Sequence, residues 1–262
     1  MNSAVRSPIL FLAVALALPL RAQTEAGFAP SESAGLAQTA DVHSVVPDLL
    51  QQQKQIWTFP ARAVKGKHLV PVLAVLGVTG ALIATDSQSA AYFRGNKTYS
   101  SFNNAFSSTA TAAAIVAVPA AFYGYGFVTH DTTAKSTAWL AGEALADSEL
   151  LGYVMKTIDQ RRTPGDFKNP HANFSDNWLD AGGSALGGNG SFPSGHTLGA
   201  FSVAAVVSRR YGRQHRWVPF LAYGCAAAVG FSRMSTSAHY PADVFMGGVL
   251  GYSISRFVVL HE

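Results

Sequence analysis

Two short blocks near the C-terminal end of the chain hold the residues best suited to chemistry. Phe192-Pro193-Ser194-Gly195-His196 sets a serine hydroxyl, a glycine and an imidazole side by side. Ser232-Arg233 is followed by His239 and Asp243 in the spacing S-R-x5-H-x3-D, and Lys156 lies upstream with Arg161, Arg162 and Pro164. An imidazole can act as nucleophile or proton carrier near neutral pH. Cations and backbone N–H groups at a helix start hold anionic oxygens. Together these residue types suit attack on a phosphoryl group.

Taken singly, each has a plainer explanation. A histidine at a helix start is usually a cap, Arg233 alone would be a surface arginine, and Asp243 alone a first-turn charge favoured by the helix dipole. Lys156 alone would be a cation at a helix C-terminus. Their co-occurrence at helix ends expected on one side of the molecule is what those explanations leave out.

The elements that must position them read as helices. Apolar segments fall at Leu69–Thr85, Ala105–Phe127, Thr137–Met155, Thr197–Ser208, Trp217–Phe231 and Val244–Leu260. Ala, Gly and Ser are frequent in all six, which permits close helix contacts. No useful run alternates with period two, so the fold class is all-α, a bundle of about six core helices. Pro193 to His196 opens one helix and Trp217–Phe231 returns antiparallel to it. That hairpin brings Ser194 and His196 beside Ser232 and Arg233, and leaves Arg209, Arg210, Arg213 and Arg216 at the far turn. Pro241 suits the first turn of a further helix, with His239 just before it and Asp243 inside it. A carboxylate there can fix the imidazole tautomer.

Composition bounds the setting. The 262 residues are long enough for one full core, and 48 % are hydrophobic while only 13 % are charged. That shortage of charge fits a membrane-embedded or tightly packed helical protein. The net charge of +4 comes from scattered residues, so no nucleic-acid partner is expected. The single cysteine, Cys225, excludes an intramolecular disulfide. Arg6, the apolar run from Pro8 to Leu20 and the following Arg21-Ala22-Gln23 read as a signal peptide over residues 1–22. Residues 23–60 read as a mobile lead-in with a surface helix over Val45–Trp57, and residues 61–262 as the catalytic domain. The polar, Gly-rich stretch 157–191 reads as a lid or linker, since its glycines match no phosphate-loop spacing.

On the residues quoted, the chain resembles the type 2 phosphatidic acid phosphatase superfamily, which shares its site with vanadium haloperoxidases. The family pattern is K-x6-R-P, then P-S-G-H, then S-R-x5-H-x3-D. The second and third blocks match in full, and the likeness covers about residues 69 to 260. The first block departs from the pattern: Thr163 stands where the arginine should precede Pro164, and Arg162 is favoured over Arg161 as its replacement. The resemblance implies His239 as nucleophile forming a phosphohistidine, Asp243 orienting it, and His196 as acid and then base. It implies Lys156, Arg162, Ser194, Gly195 and Arg233 as phosphate holders, with no metal and no cofactor.

The implied substrate is a lipid phosphate, as monoester or diphosphate, or a small phosphate ester. The alternatives are a soluble periplasmic acid phosphatase and a non-catalytic phosphate- or lipid-binding relative. Haloperoxidases tend to be much larger. The arginine-rich turn resembles a cytoplasmic loop, which puts the site on the exported side, at the inner membrane or in the periplasm. Three full crossings before Lys156 would then put it opposite His196. Thr137–Met155, with Glu143, Asp147 and Glu149, is the segment least suited to lipid.

Overall fold

The computed structural model describes residues 45–63, 66, 68–94, 96–167, 177–179 and 189–261. The expected signal peptide, most of the lead-in and most of the Gly-rich stretch lie outside the described residues. Nine α-helices follow in order among these: α1 (Val45–Ala63), α2 (Leu69–Ala84), α3 (Asp86–Arg94), α4 (Ser100–Ala105) and α5 (Ser108–Thr129). Then come α6 (Thr132–Asp159), α7 (Gly195–Tyr211), α8 (Val218–Ser235) and α9 (Pro241–Ser253), which continues as a π-helical turn over Ile254–Val259. No strand occurs among the described residues, so the fold is all-α.

α7 is the axis of the bundle, packed by α9, α8, α6 and α5. Its small and β-branched residues leave almost no exposed face: Leu198, Ala205 and Val206 are fully buried, with Val203, Ala204 and Val207 nearly so. Removing such a side chain leaves a cavity and costs about 2–5 kcal/mol for Leu→Ala. α9 comes closest to α7 at Gly247 and Gly251. A Cβ there would stand 2.7 Å from the Ser194 carbonyl oxygen and 2.2 Å from that of Leu198, so only glycine allows this approach. The crossing sets the start of α9 against the start of α7.

Two stretches among the described residues are long and apolar enough to cross a membrane: Lys97–Thr129, which includes α4 and α5, and Pro241–Val259. A third is possible if α2 and α3, bent by 55° at Thr85, count as one span. α6 is not among them. Its Asp147 is buried, where Oδ1 accepts a hydrogen bond of 2.7 Å from Gln53 Nε2 of α1. α1 therefore docks on α6 through buried amides and runs past Trp57 to Ala63, so position 60 falls inside a helix.

Candidate active site

Helix ends from all parts of the bundle meet at one end of the axis. They are the C-termini of α6 and α8, the N-termini of α7 and α9, and the first residues of α3 and α5. The arginine-rich turn is about 25 Å away, the length of a 17-residue helix. There Arg210 bonds to Ser136 and Thr137 of α6 and takes no part in the site.

The third sequence block folds back on itself. After α8 ends, the Arg233 carbonyl oxygen accepts from the N–H groups of both Ala238 (3.0 Å) and His239 (3.1 Å). Ser237 takes the left-handed conformation, φ 58°, that this tight return needs. The five residues between Arg233 and His239 are the length of that return. Asp243 then closes a capping box: its Oδ2 accepts from the Tyr240 N–H at 2.9 Å. The same oxygen stands 3.6 Å from His239 Nδ1, four residues before it. Nδ1 finds no hydrogen-bond partner, so a small rotation of the ring would complete a bond to the carboxylate. The His239 side chain is only 11 % exposed and Asp243 is wholly buried. Burial pushes the His239 imidazole below its ordinary value, against the opposing pull of Asp243.

Ser194 caps α7 and joins the second block to the third. Its backbone N–H donates to the Asp243 carbonyl oxygen at 3.0 Å, and its hydroxyl accepts from Thr197 at 3.0 Å. The first helical bond of α7 runs from Leu198 N–H to the Ser194 carbonyl. The anion-facing donors therefore begin at Gly195 and not at Ser194, whose N–H is already taken. His196 is half-buried, and its Nε2 pairs with the Ser108 carbonyl at 3.0 Å. A carbonyl only accepts, so Nε2 carries the hydrogen. Burial lowers the His196 pKa, and the charges of Arg233, His239 and Lys156 add to that.

Arg233 is 1 % exposed. Its Nε donates to the Ser232 hydroxyl at 3.0 Å, Nη1 to the Ser108 hydroxyl at 2.7 Å and Nη2 to the Phe106 carbonyl. The first turn of α5 thus touches both His196 and Arg233. An aromatic cluster seats this region: Phe231 meets Tyr99, Phe102 and Phe93 at ring separations of 5.1, 5.6 and 6.1 Å. Sequence reasoning did not single out Ser108 or Phe106, because neither sits in a motif and two of their three contacts are through backbone carbonyls.

Lys156, at the end of α6, reaches the Gly190 carbonyl with Nζ at 2.6 Å. Burial lowers its pKa, while Asp243, Asp159 and Glu149 hold its charge in place. Beyond α6 the chain is zipped to the loop before α7: Ser191 N–H donates to the Arg161 carbonyl, and Arg162 N–H to that of Asn177, both at 2.7 Å. Arg161 and Arg162 part company here. Arg161 is fully buried and ion-paired to Asp243 and Asp86. Arg162 is half-buried, lies 4.5 Å over the Phe167 ring, and donates to the Asp166 carbonyl at 3.4 Å. Thr163 accepts the role of a cap for the turn Pro164–Asp166, its N–H bonded to Asp166 Oδ2 at 2.9 Å.

The C-terminal half of the chain is similar to known proteins. Residues 137–261 match the PAP2 superfamily. A lipid A 1-phosphatase of Porphyromonas gingivalis is 36 % identical over 75 residues, 26 % of this chain and 17 % of that protein. The bacitracin transport permease protein BcrC of Bacillus licheniformis is 38 % identical over 68 residues, 26 % of this chain and 32 % of that protein. The chain thus spans a sixth to a third of the length of these relatives. No solved structure matches it. Lys156, His196, His239 and Asp243 all fall inside residues 137–261, the part of the chain that is of the PAP2 superfamily.

Proposed function

We propose that the protein is a metal-independent phosphatase that hydrolyses a lipid phosphate, monoester or diphosphate, through a phosphohistidine. The observation that carries the reading is the pairing of His239 with buried Asp243 at the same helix-end cluster as His196, although the two histidines lie 43 residues apart in sequence. Asp243 faces Nδ1, which leaves Nε2 of His239 as the attacking nitrogen. In the first step Nε2 forms a bond to phosphorus as the bond to the leaving oxygen breaks, and protonated His196 gives that oxygen its proton. In the second step neutral His196 takes a proton from water, the water oxygen bonds to phosphorus, and the N–P bond breaks to release phosphate. Phosphoryl transfer asks mainly for positioning and charge stabilisation. Lys156, Arg233, Arg162, the Ser194 hydroxyl and the Gly195 N–H would supply these, Arg162 by swinging off Phe167.

A lipid substrate is favoured because the site lies at the ends of apolar stretches able to cross a membrane, and because one relative is named for a lipid phosphate. The arginine-rich turn at the far end, read as a cytoplasmic loop, supports a site on the exported face. The test is phosphate release by the purified full chain in detergent, from a chromogenic ester and from a panel of lipid phosphates. His239→Ala serves as control, with and without EDTA and vanadate. The reading expects release from a lipid phosphate that EDTA leaves intact and that vanadate and the substitution abolish. Binding without release would favour a non-catalytic relative, and a strict requirement for added divalent metal would overturn the mechanism.

A further inference from the structure

Arg161 has no part in the mechanism above, yet it is fully buried with an unusually complete set of partners. Nη1 donates to Asp243 Oδ1, Nη2 to Asp86 Oδ2, and Nε to Asn177 Oδ1 at 3.4 Å. The guanidinium plane lies between two aromatic rings, 4.5 Å from Trp178 and 4.2 Å from Tyr240. A cation enclosed in this way does not reach a substrate. It holds one oxygen of Asp243 while the other oxygen faces His239. Behind it stands Asp86, the first residue of α3, 1 % exposed and set at the bend between α2 and α3. Asp86 lies outside the stretch that matches the PAP2 superfamily.

We propose that Asp86 and Arg161 are positioning residues for the His239–Asp243 pair, which makes the bent helix pair α2–α3 a working part of the catalytic centre. The planar fork of arginine fits two carboxylates at once, which a lysine point charge does not. One cation between two buried carboxylates also sets the charge that His239 experiences. The other charged and titratable groups around the pair are Lys156 and Asp159 at the end of α6, His196 on α7, and Tyr240 beside Asp243. With these fixed, Arg161→Met removes a positive charge, so the His239 imidazolium is more favoured. Burial raises the Asp86 carboxyl to about 7, so over the acid limb of His239 it is largely protonated, and Asp86→Asn alters the aim of Arg161 with little change of charge.

The proposal rests on the phosphohistidine reading, and its test has one readout that does not need turnover. His239 is titrated by NMR in the full chain labelled with 15N-histidine, its signal assigned by its loss in His239→Ala, alongside the pH profile of kcat/KM. The expected midpoint of His239, and with it the acid limb, moves up by about one pH unit in Arg161→Met, while Asp86→Asn leaves the midpoint in place and lowers kcat several-fold at unchanged KM. Arg161→Lys keeps the limb near the wild-type position and lowers kcat about tenfold with little change in KM. A midpoint unmoved or lowered in Arg161→Met overturns the proposal, as does an Asp86→Asn variant with wild-type kcat. If Arg161→Met does not fold, the loss of kcat at unchanged KM in Arg161→Lys and Asp86→Asn decides. A wild type without phosphatase activity whose Arg161→Met variant still shows the upward shift would sink the functional reading and leave the clamp standing.

Discussion

His239 and Lys156 lie within electrostatic reach of each other, yet their surroundings differ. Around His239 every group is fixed from several directions: Asp243 by Arg161, Tyr240 and the start of α9, and the His239 backbone by Arg233. On the side that would hold phosphate oxygens, Arg233 is fixed by Ser232, Ser108 and Phe106, but the other cations are held by contacts a substrate could replace. Lys156 rests on the Gly190 carbonyl, Arg162 lies on Phe167, and Thr163 stands where the family pattern has arginine. In the proposed mechanism the nucleophile's half is rigid, and the oxygen-holding half is adjustable at Lys156 and Arg162. Chemistry is fixed in the first, and substrate choice has room to vary in the second.

The largest effects should come from the rigid half. His239→Ala is expected to abolish turnover, a loss of roughly 10³-fold or more in kcat. His196→Ala should cost roughly 10²–10⁴-fold, the usual worth of a positioned acid–base group. A stopped-time assay separates the two, since only His196→Ala should accumulate a 32P-labelled phosphohistidine that is stable to base. Equal loss without such an intermediate would blur the division.

Next in size is Lys156→Ala, expected to lower kcat/KM by about 10–100-fold, as befits one charge-assisted contact to phosphate. A change confined to stability, seen as a shift in melting without a change in kcat/KM, would return Lys156 to a helix-end role. The pH profile tests both halves together. In the proposed mechanism His239 attacks when neutral and His196 donates when protonated, and burial lowers both from the ordinary 6.5. The acid limb (His239) and the alkaline limb (His196) should therefore both lie below 6.5, giving an optimum on the acid side of neutrality. An optimum above pH 8 would contradict the assignment.

The smallest effects belong to the adjustable half. Arg162→Ala should raise KM several-fold with kcat little changed, and Thr163→Arg in that background should restore much of the loss. Saturation kinetics on both variants distinguish a phosphate contact from a surface arginine, for which neither substitution would matter.

Much of this arrangement was legible because the residues that do chemistry sit at fixed offsets from helix ends. Pro241 announces the start of α9 and so places His239 and Asp243, while the hairpin of α7 and α8 brings Ser194 to Arg233. Asp86 was not legible: it is one acidic residue at a kink, and only the folded chain shows that it reaches Arg161. Arg161 and Arg162 are neighbours of identical type, and no spacing rule tells which turns inward. The bend at Thr85 fixes that by delivering Asp86 to one of them. The N–H of Ser194, at a helix start that suits an anion, is committed to the Asp243 carbonyl, a backbone pairing that no side-chain pattern encodes.

Ser108 offers two different atoms to the site, its carbonyl to His196 and its hydroxyl to Arg233. Any amino acid at position 108 supplies the carbonyl, whereas only one with a short side-chain acceptor supplies the other contact. Natural variation at this position would therefore report on the arginine and stay silent about the histidine. A family history read from letters alone would credit Ser108 with half of what it does.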